Sequence, residues 1–203
     1  IRPFLQIVRS RDDVRHVVAI FLLTFRNRSF LIADAAVNVE PDAETLAEIA
    51  ILTAEAARRF NIEPRIAMLS FSNFGSVNHR LVDLVQEATR LVRQKAPDLV
   101  VEGEMQADTA VNPALCQELF PFSALKGDAN VLVFPDLTSA NTAYKLLYRL
   151  GGAEAIGPIL VGMKRSVHIL HQSSEVADVV NVAAIAVVDA QEVAMACGLP
   201  PAA

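Results

Sequence analysis

Cysteine is scarce in this sequence. Only Cys116 and Cys197 occur among 203 residues, both in apolar, helix-like settings. That excludes a disulfide framework, offers no metal-ligand spacing, and leads us to expect a reducing, cytoplasmic compartment. Long apolar runs are missing as well. The longest, Val17 to Phe25, falls far short of the roughly 20 residues of a membrane-spanning helix, and no charged segment leads into an apolar one as in a signal peptide. There is no basic block: 18 Lys and Arg are scattered against 23 Asp and Glu, for a net charge of −5, so a nucleic-acid partner is not expected. The fingerprints G-x-G-x-x-G, G-x-x-x-x-G-K-[ST], G-x-S-x-G and H-E-x-x-H are all absent. Dinucleotide, P-loop, hydrolase-elbow and zincin chemistry therefore lack their usual signatures.

What is present is a substantial core. Hydrophobic residues make up 53% of the chain, which excludes disorder. The sequence begins at Ile1 without a methionine, so a piece of a longer polypeptide is the expectation.

The apolar runs VVAIFLLTF and SFLIAD flank Arg26-Asn27-Arg28 and predict a hairpin. Pro41-Asp42 then opens a helix in which Leu46, Ile49, Ala50, Thr53, Ala57 and Phe60 recur at spacings of three and four. Strand-like segments follow at Arg65 to Ser70, Asp98 to Glu102, Asn130 to Phe134, Ile156 to Gly162 and Val167 to Leu170. Helical ones lie from Leu81 to Lys95, up to Phe120, from Thr138 to Leu150 and from Glu175 to Ala196. This alternation predicts an α/β fold, a mostly parallel sheet covered by helices on both faces, with ligands at the carboxyl ends of the strands. The last helix is apolar nearly all round, and two readings stay open for it. It is a central core helix, or it packs on a missing domain or a second subunit.

Four local features carry candidate chemistry. Ser70-Phe71-Ser72-Asn73-Phe74-Gly75-Ser76 follows a strand and precedes a helix, and its hydroxyls, amide and N–H groups suit an anion as well as they suit ordinary turn and capping roles. Glu102, Glu104 and Asp108 place carboxylates near a strand end, with a solvated loop the favoured reading over an acid or base role. Lys164-Arg165 forms a two-cation turn that fits a phosphate or plain solvent. His168 and His171 are three apart; on a strand they face opposite sides, so structural or solvent-facing imidazoles are expected rather than a metal site.

Taken together, several stretches resemble a known family. They are Ile1-Arg2-Pro3 with Leu5-Gln6, IADAAVNVEPDAETLAEIA, NIEPRIAMLSFSNFGS, PDLVVEGEMQADTA, LKGDANVLVFPDL, IGPILVGM and DVVNVAAIAVVDAQ. The family is that of the phosphate acetyl/butyryl transferases, and within it the phosphotransacetylase-like C-terminal region of bacterial hybrid NADP-dependent malic enzymes. SFSNFGS and EGEMQADTA look more like the malic-enzyme branch than the free-standing transferases, where related positions tend to read SYSTGTSG and DGPLQYDAA.

The resemblance implies an isocitrate/isopropylmalate dehydrogenase-like superfold. Residues 1–15 would be a remnant of a first subdomain, 16–172 the central α/β subdomain, and 173–203 a helix returning to the first. It further implies homodimers or higher homo-oligomers, with acetyl-CoA or coenzyme A in the cleft between subdomains. In active members a Ser-Arg pair, an Asp six residues after that Arg, and an Arg before a Pro serve the transfer of acetyl between coenzyme A and phosphate. Asp178 matches the Asp as candidate base, and Arg2 matches the second Arg. The Ser-Arg pair is replaced by His171-Gln172. Ser70, Ser72, Asn73, Ser76, His171, Gln172 and Asp178 are therefore the candidate ligand-binding residues.

Gln cannot reproduce the charge-assisted contact of an arginine to phosphate. The departure implies an acetyl-CoA-binding regulatory and oligomerisation module without turnover. Its partner would be a malic-enzyme catalytic domain in the same polypeptide, an upstream part that would hold NADP and a divalent metal. An active transferase, in which His171 takes the place of the lost hydroxyl, and a purely structural dimerisation module are the alternatives.

Overall fold

A computed structural model describes residues 6–25, 27–170 and 174–196. Strands β1 (Val18–Phe25) and β2 (Arg28–Ala33) pair antiparallel as the predicted hairpin, with Phe21 opposite Ile32. Where β2 ends, buried Asp34 accepts the N–H groups of Ala36, Val37 and Asn38 at 2.9, 3.1 and 3.0 Å. Burial nonetheless pushes its carboxyl above the usual range.

Helix α1 (Ala43–Arg59) starts where Asp42 accepts the Thr45 N–H at 2.8 Å, and it carries Glu44 in its first turn with Arg58 and Arg59 in its last. These charges complement the helix dipole. Asp42→Ala is expected to cost about 1 kcal/mol, or roughly 2–4 °C in Tm. The Thr45 N–H holds the Asp42 carboxyl below its ordinary value. The contribution is therefore present above the unfolded pKa of about 3.9 and is lost as pH falls through the lower folded value. Thermal melts of both proteins across that range check this; a stability difference that stays constant into acid would contradict it.

The remaining elements are β3 (Arg65–Leu69), α2 (Arg80–Lys95), β4 (Val100–Met105), α3 (Ala107–Val111), α4 (Pro113–Leu119), β5 (Val131–Val133), α5 (Leu137–Arg149), β6 (Glu154–Val161) and α6 (Val176–Ala196). They build one sheet in the order β4-β3-β5-β2-β1-β6. Neighbours from β4 through β2 are parallel, and β1 alone runs against β2 and β6. Both faces are covered. Leu46, Ile49, Val85 and Val92 of α1 and α2 pack with Ile66, Met68, Val131 and Val133 on one side. Ala140 and Tyr144 of α5 pack with Phe21, Ile32, Ala67 and Leu132 on the other. Two-sided burial explains the near-continuous apolar strands.

Three expectations are corrected. The helix ending near Phe120 is two short helices, because Pro113 has no N–H to continue the first and Asn112 caps the second through the Leu115 N–H. The segment from Val167 to Leu170 is no strand; His168 makes a single bridge to Ile159. Helix α6 is not a central core helix. It lies against β6, burying Val182 and Asp189, while Val176, Val180, Val187, Val188 and Met195 stay exposed. An apolar stripe all round cannot be covered by one sheet edge, so among the described residues much of it stays exposed.

Candidate functional site

The 70–76 loop is built around a carboxylate. Glu104, at the end of β4, is 1% exposed. One of its oxygens accepts the Ser72 hydroxyl at 2.9 Å and the Gly75 N–H at 2.6 Å. Ser72 Oγ also accepts the Val77 N–H at 3.2 Å and lies 3.1 Å from Ser76 Oγ. Asn73 and Gln106 exchange two hydrogen bonds, of 2.8 and 3.0 Å. Two of the donors read as an anion cradle, the Ser72 hydroxyl and the Gly75 N–H, are thus engaged with a carboxylate of the chain itself. Glu102 and Glu104 are not in a solvated loop: β4 extends to Met105 and buries both, and Glu102 meets Arg93 at 3.1 Å and the Ala124 N–H at 3.2 Å. Asp108 is exposed, and its carboxylate accepts its neighbour's N–H, from Thr109 at 2.9 Å.

Asp178 opens on a different space. A cleft of about 330 Å³ is lined by Tyr144, Lys145, Tyr148 and Arg149 of α5, by Phe21 and Gly157 of the sheet edge, and by Ser174 and Asp178. Phe21 and Tyr144 stack with ring centroids 4.1 Å apart. The four α5 residues fall at i, i+1, i+4 and i+5, so one helix face presents two tyrosines and two cations. The cations sit over aromatic faces: Lys145 Nζ lies 5.9 Å from the Tyr144 ring and the Arg149 guanidinium 4.7 Å from that of Tyr148. Neither forms an ion pair with a described carboxylate. Burial raises the Tyr144 phenol above its ordinary pKa. Asp178 accepts the Glu175 N–H at 2.9 Å, closing the start of α6. Two cations, flat rings and a hydroxyl fit a phosphate-bearing ligand with a ring system. None of these α5 residues was singled out in the sequence, although the pairing of Tyr144-Lys145 with Tyr148-Arg149 one turn later was there to be read.

Among the candidate residues, then, Ser72, Asn73 and Ser76 come together around Glu104 and Gln106. Asp178 lies in the α5 cleft, and Ser70 lines a further cavity at the end of β3. Arg2, His171 and Gln172 lie outside the described residues. The His168 side chain is buried, with Nε2 3.1 Å from Asp189 and 3.2 Å from Ser166 Oγ, and it fastens α6 to the segment after β6. Lys164 pairs with Asp12 at 3.1 Å. Among the described residues no group of three or more His, Cys, Asp or Glu is placed to hold a metal, and no helix is long and apolar enough to cross a membrane.

Comparison with known proteins gives these observations a family. Residues 1–187 match the family model for phosphate acetyl/butaryl transferase. The phosphate acetyltransferase of Bacillus subtilis is 42% identical over 185 residues, covering 91% of this chain and 57% of that protein. The NADP-dependent malic enzyme of Escherichia coli K12 is 44% identical over 183 residues, covering 89% of this chain and 24% of that protein. A phosphotransacetylase from Streptococcus pyogenes has the same fold, with TM-score 0.88 and 41% identity over 96% of this chain and 59% of that one. A branched-chain phosphotransacylase from Enterococcus faecalis matches at TM-score 0.75 and 25% identity, covering 89% of this chain and 67% of that one. The chain therefore spans just over half the length of the Bacillus subtilis transferase and about a quarter of the malic enzyme. With the matched model running through most of the sequence and the sheet superposing on solved members, this chain belongs to the phosphate acetyl/butaryl transferase family.

Proposed function

We propose that this chain is the phosphotransacetylase-like C-terminal region of a cytoplasmic NADP-dependent malic enzyme. In this reading it binds acetyl-CoA without turning it over. The observation that carries it is the pairing of a retained Asp178 with Gln172 where active members hold an arginine. A base without the guanidinium that neutralises phosphate can hold a thioester ligand, but it lacks the electrostatic support that acyl transfer to phosphate requires. The cations and rings beside Asp178 supply a surface for the nucleotide part. Occupancy then reaches a malic-enzyme catalytic domain, with its NADP and divalent metal, through contacts in a homo-oligomer. That coupling requires different affinities for acetyl-CoA in two states of the whole enzyme.

The second reading is an active transferase, favoured by the identity to free-standing phosphate acetyltransferases. In it Asp178 takes the thiol proton of coenzyme A, Arg2 holds phosphate or the acyl oxygen, and His171 replaces the lost hydroxyl.

Calorimetric titration with acetyl-CoA in phosphate buffer, with free thiol followed in parallel, separates the two. Saturable heat without thiol is the expected result. Sustained thiol release overturns the non-catalytic reading, and absence of heat overturns binding. Arg2→Ala is expected to weaken acetyl-CoA binding by about 1.5–3 kcal/mol, the usual worth of a hydrogen bond to a charged group. An unchanged isotherm would remove Arg2 from the site.

A further inference from the structure

The sheet order creates a crevice that the Asp178 cleft does not use. From β3 the chain leaves through α2 to β4, and from the adjacent β5 it leaves through α5 to β6 at the opposite edge. Helices α2 and α5 lie on opposite faces. Neither connection covers the carboxyl ends of β3 and β5, and such a reversal of direction is where open α/β sheets take ligands. A cavity of about 640 Å³ opens there, within the range of small-molecule sites.

Its walls are largely apolar, with Leu69 and Phe134 from the strand ends and Leu81 and Leu84 from α2. Its polar groups are few. Asp136 is occupied as the cap of α5, accepting the Ser139 N–H at 2.8 Å, and the Ser139 hydroxyl donates to the Asp136 carbonyl at 2.8 Å. Glu40 stands on the rim. Arg80 is exposed, and no described carboxylate, Glu40 included, lies within ion-pair distance of it. Glu40 and Asp136 border the same hollow, but neither is paired with Arg80, so its guanidinium is the group there that can receive an anion with an apolar body.

We propose that this crevice is a second small-molecule site, for an organic acid whose aliphatic or aromatic body lies among Leu69, Leu81, Leu84 and Phe134 and whose carboxylate pairs with Arg80. The planar guanidinium can receive a carboxylate through two parallel hydrogen bonds. The site shares no lining residue with the Asp178 cleft, and of the candidate acetyl-CoA residues only Ser70 borders it, so saturating acetyl-CoA in the experiment below tells the two sites apart.

Octanoate and its uncharged counterpart octanamide test it on the 203-residue chain, with the methyl resonances of Leu69, Leu81 and Leu84 followed by NMR. Octanoate is expected to shift these methyls saturably. Octanamide, and octanoate with Arg80→Ala, are expected to bind at least about tenfold more weakly, as the loss of one charged hydrogen bond implies. Arg80→Lys should recover part of that loss. Acetyl-CoA present at saturation should leave the octanoate shifts in place. No saturable shift, equal binding of acid and amide, insensitivity to Arg80→Ala, or shifts confined to Tyr144 and Ala155 in the other cleft would each overturn the proposal.

Discussion

Glu104→Ala is expected to lower stability by about 3–5 kcal/mol, because the buried carboxylate is the acceptor around which the 70–76 loop closes. The Ser72 hydroxyl and the Gly75 N–H both point at one of its oxygens, at 2.9 and 2.6 Å, and Ser72 itself is fully buried. Removing the acceptor takes from the fully buried Ser72 hydroxyl its carboxylate partner, frees the Gly75 N–H and opens a cavity where a 1%-exposed side chain stood. At this chain length the loss corresponds to a fall in Tm of roughly 10 °C. Glu104→Gln keeps an oxygen for both donors, so it should cost far less. Melting curves of the two variants decide the matter, together with hydrogen exchange at the Gly75 and Val77 amides. Equal effects of Ala and Gln would mean that shape, not hydrogen bonding, holds the loop.

The second large effect is expected at Gly157, where β6 bulges against β1. Its φ of +151° is one that L side chains rarely adopt, and a Cβ there would lie 2.7 Å from Phe21 Cδ1 and 2.9 Å from the Ile20 carbonyl oxygen. The ring has somewhere to move, but the strand carbonyl does not. Gly157→Ala should therefore cost about 3 kcal/mol or more, combining backbone strain with overpacking. Displacing Phe21 also breaks its stack on Tyr144, a wall of the Asp178 cleft. Acetyl-CoA binding should then weaken even at temperatures where the variant is folded. A thermal midpoint like that of the parent would show that the bulge tolerates a methyl group. In a Phe21→Ala background, itself destabilised, the further cost of Gly157→Ala should shrink without vanishing, because the Ile20 carbonyl remains in place.

Most elements were legible because the forces that form them are local. The spacing of Leu46, Ile49, Ala50 and Thr53 predicts α1, and Asp42 starts it through a hydrogen bond that spans three residues. The hairpin, α2 and α5 follow from the same short-range patterns. The break at Pro113 was missed because the apolar residues on either side of it keep a helical rhythm. The site was legible only in pieces. Serines and a carboxylate near a strand end mark the 70–76 loop and Glu104 separately, but their contact spans 32 positions and depends on β3 and β4 being neighbours.

Composition and periodicity by themselves determined the class of fold and the position of most of its helices and strands, and the family stretches indicated kinship with the transferases. The order of the strands was decided only in three dimensions, and with it the location of the crevice between β3 and β5. The same holds for the burial of Glu104 and His168 and the exposure of the apolar α6. The physical reason is one of range. Helix and strand patterns are set by neighbours a few residues away, whereas burial and charge pairing depend on which distant segments the sheet brings side by side.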